Sequence, residues 1–117
     1  MKLSEIAEKL KLRHLTPEIR SVDATDVTAG HAADLLSDVL ANAPSGGVLV
    51  TIQAHLNVIA VSVHAGLAAV IFSSSRNPEE PIRKKAVEEG IHLYLSEEPT
   101  FDVVGQLYAL GIRGHRA

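Results

Sequence analysis

The chain has 117 residues, of which 46% are hydrophobic, 21% charged and 3% aromatic. This length allows one domain with a sizeable buried core. A formal charge of −3 provides no broad positive field, which argues against a nucleic-acid partner. The absence of cysteine excludes disulfides, thiolate metal sites and cysteine nucleophiles. It fits a reducing compartment, although a small extracellular protein can also lack cysteine.

The first segment predicts an amphipathic helix. Its apolar residues recur with a helical period, at Leu3, Ile6, Ala7 and Leu10, and Ser4 is placed to cap it. The same segment mixes charged and apolar residues and so lacks the uninterrupted apolar run of a secretory signal. We therefore expect a cytoplasmic protein.

The next elements are short. Residues 11–15 predict a strand that ends at Thr16 and Pro17, because the residue before proline disfavours helical backbone. A second strand is expected over residues 26–30 and a helix over 34–43. The Pro-Ser-Gly-Gly run that follows this helix ends it.

The rest of the chain alternates between strands and helices. Strands are predicted over residues 48–52, 68–72 and 91–95, and helices over 56–65, over a charged segment ending at Glu89, and over 101–110. Such spacing indicates right-handed crossovers and a mostly parallel sheet. A glycine follows each helix where a residue with positive φ is expected: Gly66, Gly90 and Gly111. We predict that residues 1–117 form a single three-layer α/β/α sandwich.

Residues 48–72 carry no Asp, Glu, Lys or Arg and are long enough to span a bilayer. The run nevertheless contains Gln53, His55, Asn57 and His64. These side chains would each need a buried partner in hydrocarbon, whereas a folded strand–helix–strand unit satisfies them at its loops. We therefore expect a globular unit and no membrane partner.

The predicted helix over residues 56–65 is apolar on nearly all sides, which is typical of a helix buried on both sides. The sheet covers one side. A second copy of the chain in a two-fold homodimer would cover the other. The alternative is that the first or last helix lies across it.

Ligands of open parallel sheets usually lie beyond the carboxyl ends of the strands. Two polar loops occupy this position, and we predict that they bind a ligand through Thr51, Gln53, His55, Asn57, Ser73, Ser74, Ser75, Arg76 and Asn77. Three hydroxyls followed by Arg76 suit a phosphate or carboxylate, which a guanidinium binds through two parallel hydrogen bonds. Serines beside Asn-Pro are also common turn and cap residues, so a purely structural role stays open.

The histidines predict no metal site and no cofactor. His31, His55 and His92 lack a compact ligand spacing, and His55 and His64 project from opposite sides of one helix. His64 fits a buried or interface residue.

The carboxylates and the two charged segments fit solvent-exposed positions. Asp34 and Asp38 are expected on one solvated helix face, with His31 within reach of Asp34. The charged helix ending at Glu89 is expected to face solvent, and the basic residues 113–117 are expected to fray.

Several enzyme classes lack their sequence signature here. The chain contains no G-x-x-x-x-G-K-[ST], no G-x-G-x-x-G and no G-x-S-x-G. We therefore expect no P-loop kinase activity and no serine nucleophile on a strand-to-helix elbow, and we interpret the chain as non-catalytic.

Four phrases together resemble the DRTGG domain family: LSEIAEKLKL, ADLLSDVLANA, LVTIQAHLNVIAVSVHAGLAAVIFSSSRNPEE and AVEEGIHLYLSEEPTFDVVGQLY. The resemblance covers residues 3–112 and extends to the amino-terminal domain of HPr kinase/phosphorylase. It implies a three-layer α/β/α fold and a regulatory or ligand-sensing role. The kinase activity associated with that name belongs to a separate P-loop domain.

The signature loops depart from the family pattern. Where the family has Thr-Gly-Gly, this chain has Ser73, Ser74 and Ser75, and the family's Asp-Arg pair is replaced within residues 53–55. Serine keeps a hydroxyl but loses the backbone freedom of glycine. The expected ligand is an anionic small molecule such as a nucleotide. The alternative is an adaptor that docks on a partner enzyme through its dimer surface or exposed helices.

Overall fold

The computed structural model describes residues 1–114. The helices are α1 (Leu3–Lys9), α2 (Leu36–Asn42), α3 (Leu56–Ala65), α4 (Glu80–Glu89) and α5 (Thr100–Ala109). The strands are β1 (Arg13–His14), β2 (Gly30–Ala32), β3 (Val48–Thr51), β4 (Ala69–Phe72) and β5 (His92–Leu95). A 3-10 turn, Ser21–Asp23, lies between β1 and β2.

The strands form one sheet in the order β1-β5-β4-β3-β2. β1 is antiparallel to β5, and the other neighbours are parallel. Because β2 to β5 follow the same order in the chain and in the sheet, right-handed crossovers place α2, α3 and α4 on one face. The predicted α/β class with a mostly parallel sheet is confirmed.

Successive side chains of each strand point to opposite faces and supply two separate cores. On one face, α2, α3 and α4 cover Leu49, Val70 and Leu93. On the other face, α1 and α5 cover Val50 and Ile71. Two helix layers around a sheet are the predicted three-layer sandwich.

The uncharged run 48–72 is divided into β3, the ten-residue α3 and β4. Within residues 1–114, no helix has the length and apolar character needed to cross a bilayer. The globular interpretation of this run is therefore correct.

The surroundings of α3 contradict one of the two sequence-based expectations, a covering first or last helix, and the covering by a second copy of the chain stays a prediction. Its neighbours are α2 and α4 on the same face of the sheet, while α1 and α5 lie on the opposite face. Leu56 and Val63 remain exposed. The helix is thus buried against the sheet and flanked by helices, and neither the first nor the last helix lies across it.

Three predictions near the start of the chain differ from the structure. Ser4 is not the cap of α1: Lys2 precedes the helix without a side-chain cap bond, and the Leu3 amide donates to the Thr25 carbonyl at 2.9 Å. The second strand covers Gly30–Ala32 instead of residues 26–30, because its register is fixed by parallel pairing with β3. The strand predicted over residues 11–15 is reduced to Arg13–His14.

The start of α2 is also shifted. Asp34 lies before the helix, and its Oδ1 atom accepts hydrogen bonds from the Thr51 hydroxyl and the Ile52 amide, both at 2.9 Å. Asp34 and Asp38 therefore do not share a helix face. His31 pairs with Asp38 instead of Asp34, with Nε2 2.9 Å from Oδ2.

The predicted helix ends are confirmed at the glycines: Gly66, Gly90 and Gly111 have φ of 70°, 73° and 100°. The segment expected to fray begins with an ordered contact, because the Gly30 amide donates to the Arg113 carbonyl at 2.9 Å. The remainder of that prediction, residues 115–117, lies outside the described residues.

Candidate functional site

The loops after β4 and β5 leave the sheet in opposite directions. The chain after β4 enters α4 on one face, whereas the chain after β5 enters α5 on the other. Adjacent loops that diverge in this way form a topological switch point, the usual ligand crevice of open α/β sheets. The candidate site is therefore located at the carboxyl ends of β4 and β5.

Direct hydrogen bonds close this crevice. The Ser74 amide donates to the Glu98 carbonyl at 2.8 Å, and the Ser75 amide donates to the Ser96 carbonyl at 2.9 Å. The amide of Arg76 also donates within the loop, to the Ser73 carbonyl at 3.1 Å. These amides are engaged by main chain, so a ligand here would be held by side chains.

Ser74 and Ser75 both adopt left-handed backbone, with φ of 55° and 56°. A residue with a Cβ in this region costs roughly 1–2 kcal/mol because the Cβ approaches a carbonyl oxygen. These are the two positions at which the resembled motif has Gly-Gly. The loop thus keeps a conformation suited to glycine although both glycines are absent.

Two of the predicted binding hydroxyls are buried and serve the fold. Thr51 and Ser73 are fully buried, and the Ser73 amide donates to the Thr51 carbonyl at 3.1 Å. The Thr51 hydroxyl donates to Asp34, and the Ser73 hydroxyl lies 2.6 Å from that of Thr100. The two predicted loops therefore start side by side, with Thr51 and Ser73 in structural roles.

The other predicted residues lie toward solvent. The exposed ones are His55, Asn57, Arg76 and Asn77. Gln53 is partly buried, and its backbone N–H donates to Thr51 Oγ1 at 3.1 Å. His55 precedes α3 without making a side-chain cap bond. Arg76 is the cation within the predicted set.

A basic depression of about 450 Å³ lies beside the switch point and was missed by sequence analysis. Its lining includes three cations, Lys9, Lys11 and Arg13, together with Leu10, Leu95, Ser96, Glu97, Glu98 and Gln106. The cations come from the end of α1 and the start of β1, which reach β5 only because Arg13 pairs with Leu95. The sequence does show basic residues at alternate positions, Lys9, Lys11 and Arg13. It gave no sign that β1 pairs with β5 and so brings these residues to the end of β5.

Backbone strain is concentrated at the same edge. Within residues 1–114, the non-glycine residues with positive φ are Lys11, Ser74 and Ser75. Lys11 lines the depression, and the carbonyls that accept the Ser74 and Ser75 amides belong to Glu98 and Ser96, which also line it. Two main-chain hydrogen bonds therefore join residues 73–77, the serine loop, to the segment that lines the basic depression.

A separate aromatic and histidine cluster lies between β1 and β5. The His14 ring stacks on Tyr94 with centroids 4.7 Å apart, and Ser21 Oγ lies 3.1 Å from His92 Nε2. Burial lowers the pKa of His14 and of His92 and raises the pKa of Tyr94 to about 12. Within residues 1–114, His92 Nδ1 has no hydrogen-bond partner, so the Ser21–His92 pair lacks the orienting group of a catalytic triad.

The described part of the chain also contains no cluster of three His, Asp or Glu side chains arranged to hold a metal ion. The His31–Asp38 pair is local: hydrogen bonds from Asn42 and then from His31 lower the pKa of Asp38.

Comparison with known proteins places this geometry in context. No family model and no curated protein matches the chain. A solved structure does match: the CBS and DRTGG domains of the regulatory region of Clostridium perfringens pyrophosphatase, complexed with the activator diadenosine tetraphosphate. The TM-score is 0.73 at 14% sequence identity, and the match covers 91% of this chain.

The chain has a DRTGG-like fold. The resemblance inferred from the sequence is thus confirmed at the level of the fold. The DRTGG-like chain spans 45% of the length of the clostridial structure.

Proposed function

We propose that this DRTGG-like domain is a non-catalytic regulatory module that senses an anionic small molecule, with a nucleotide as the preferred class. The observation that carries the proposal is the strained backbone of Lys11, Ser74 and Ser75 at one edge of the sheet. Residues in such conformations cost about 1–3 kcal/mol each and cluster at ligand clamps and switch regions.

The side chains at this edge favour an anion. Lys9, Lys11 and Arg13 bring three positive charges to a depression that also contains the carboxylates Glu97 and Glu98. The depression is therefore net positive in a chain whose formal charge is −3. Arg76 adds a further cation on the serine loop, where its fork geometry suits a phosphate.

The clostridial regulatory region supports a nucleotide over other anions, since that protein was crystallised with a dinucleotide activator. A nucleotide with several phosphates would also match a site whose cations lie on both sides of the switch point. We therefore rank ATP above AMP and inorganic phosphate as a ligand.

Isothermal titration tests the proposal with ATP, AMP, inorganic phosphate and uncharged adenosine. We expect ATP to bind, adenosine to bind far more weakly, and Arg76→Ala and Lys11→Ala each to weaken ATP about tenfold, the loss of one charge-assisted hydrogen bond. Lys84→Ala is the matched control, because Lys84 is an exposed lysine on α4. The proposal fails if no ligand gives heat, or if Lys84→Ala weakens binding as much as the site variants.

A second function, an adaptor that docks on a partner enzyme, is favoured by a different observation. Leu35 and Leu40 at α2 are 66% and 49% exposed, so these apolar side chains are not buried in the core. The adaptor function predicts a stoichiometric partner that the wild type retains and a Leu35→Asp, Leu40→Asp variant loses, while the nucleotide titrations stay flat. Retention of the partner by that variant would contradict docking through this patch.

A further inference from the structure

The outer side of α5 carries an apolar stripe formed by Phe101, Val104, Gly105 and Tyr108. Their spacing places them on one helix face, and Phe101 and Tyr108 are 88% and 57% exposed. The chain contains only two Phe and two Tyr, so half of these rings lie on this stripe. Exposed aromatic rings are typical of interfaces, where they dominate the binding energy.

The fold itself does not use this stripe. α5 packs on the sheet through Val103 and Leu107, which are buried. Gly105 is also unexplained by the fold, because a Cβ added there would meet no atom of the described chain within 4 Å. Glycine weakens a helix interior, so its presence here indicates close approach by something outside the domain.

The stripe is symmetric about its own centre. Phe101 and Tyr108 are equally distant from the midpoint between Val104 and Gly105. In a two-fold interface, residue i of one copy meets residue j of the other, and the reverse. Two α5 helices that cross antiparallel at this midpoint would therefore pack each Phe101 against the other copy's Tyr108.

The charges around α5 have the same symmetry. The start of the helix is acidic, with Glu97, Glu98 and Asp102 exposed, whereas Arg113 follows its end. The Arg113 guanidinium lies 3.6 Å from the centroid of the Tyr108 ring. An antiparallel crossing places each acidic start beside the basic end of the other copy, and a parallel crossing would place like charges together.

We propose that the outer face of α5 is a two-fold interface with a second copy of this chain. The symmetric spacing of the stripe and the charge pattern favour a second copy over an unrelated partner, and the open space at Gly105 allows the two helices to approach closely. A ten-residue helix is about 15 Å long, so the interface is small and belongs to the weak class below about 1,200 Å². The dimer should therefore dissociate in the micromolar range or above.

Sedimentation equilibrium from about 10 µM to 1 mM covers the affinity of so small an interface. We expect the average mass to rise from 12.5 kDa toward twice that value. Phe101→Ser should weaken association at least about tenfold, as expected for an aromatic anchor of an interface. Leu56→Ser is the matched control, because Leu56 is an exposed leucine on α3.

The variant Gly105→Ala distinguishes an effect on association from an effect on folding. The added methyl has open space in the monomer and improves the helix, so thermal stability should stay the same or rise, while association should weaken because the two helices can no longer approach. Arg113→Glu should also weaken association, and adding Glu97→Lys and Glu98→Lys should restore it.

A single 12.5 kDa species at every concentration would overturn the proposal. So would association that survives Phe101→Ser and Gly105→Ala, or association that Leu56→Ser abolishes, which would assign the contact to α3.

Discussion

The hydroxyl oxygens of Ser73 and Thr100 lie 2.6 Å apart and join the loop after β4 to the first turn of α5. Ser73 is fully buried, and the amides of Ser74 and Ser75 reach the loop after β5 beside this contact. The two loops of the switch point are therefore one hydrogen-bonded unit, and a displacement of either must be accommodated by the other.

Removing this contact should destabilise the domain. Ser73→Ala and Thr100→Val should each lower the free energy of unfolding by about 1–2 kcal/mol, because each leaves one hydroxyl without its partner. The double variant should lose less than the sum of the two. Urea unfolding of all four proteins measures the coupling, and strictly additive losses would contradict a direct bond.

Glycine at positions 74 and 75 should stabilise the domain. The exposed serine side chains make no hydrogen bond within residues 1–114, and both residues have left-handed backbone. Ser74→Gly and Ser75→Gly should each raise the free energy of unfolding by about 0.5–1 kcal/mol, since the Cβ clash is removed. The control is Ser37→Gly in α2, which should lower it by about 0.5 kcal/mol. Equal effects at all three serines would argue against strain in the loop.

The stability of the domain should fall as the pH decreases below about 6.5. Burial lowers the pKa of His92 and His14 from their ordinary value of 6.5, so the unfolded chain takes up protons that the folded chain does not. Each histidine that stays neutral contributes a slope of at most about 1.4 kcal/mol per pH unit. The free energy of unfolding measured between pH 5 and 8 gives this slope. Carboxylates contribute little in this range, because their ordinary pKa is lower, as for Asp38 with an ordinary pKa of 3.8.

The variant His92→Leu should reduce this slope, since it removes the more deeply buried of the two imidazoles. His64→Gln, which removes an exposed histidine of α3, is the reference. Stability that is flat with pH in the wild type, or a slope unchanged in His92→Leu, would show that His92 is not held neutral by the fold.

Asp34 should act as an acceptor and not as a ligand of a cation. Its Oδ1 atom receives bonds from Thr51 and Ile52 at the end of β3. Asp34→Ala should cost about 1–3 kcal/mol, because the buried Thr51 hydroxyl loses its partner, whereas Asp34→Asn keeps an acceptor and should cost less. Chemical denaturation compares the two, and equal losses would indicate that the charge, not the hydrogen bond, matters.

The sequence predicted the elements whose local signals agree. α3 covers residues 56–65 as expected, because an apolar period, a polar loop and Gly66 all mark the same limits. The strands β3, β4 and β5 were predicted to within one residue, since each is buried on both faces and is bounded by turn residues.

The errors arose where a distant contact decides the structure. β2 begins at Gly30 because it pairs with β3, and α1 begins without a side-chain cap because the Thr25 carbonyl takes the Leu3 amide. The serine loop was found from its residue types. The basic depression was not, because its cations meet the end of β5 only after β1 has paired with that strand.

The order of the strands also sets the order in which the chain can fold. β2 to β5 join neighbours in the chain, so each pair closes a short loop, whereas Thr16 accepts from the Leu93 amide across 77 residues. Closing that long loop costs more entropy, and we therefore expect β1 to be the last strand to dock. Until it does, the outer edge of β5 is open to pairing with strands of other chains. We therefore expect the pairing of Arg13 and His14 with β5 to lower the tendency to aggregate.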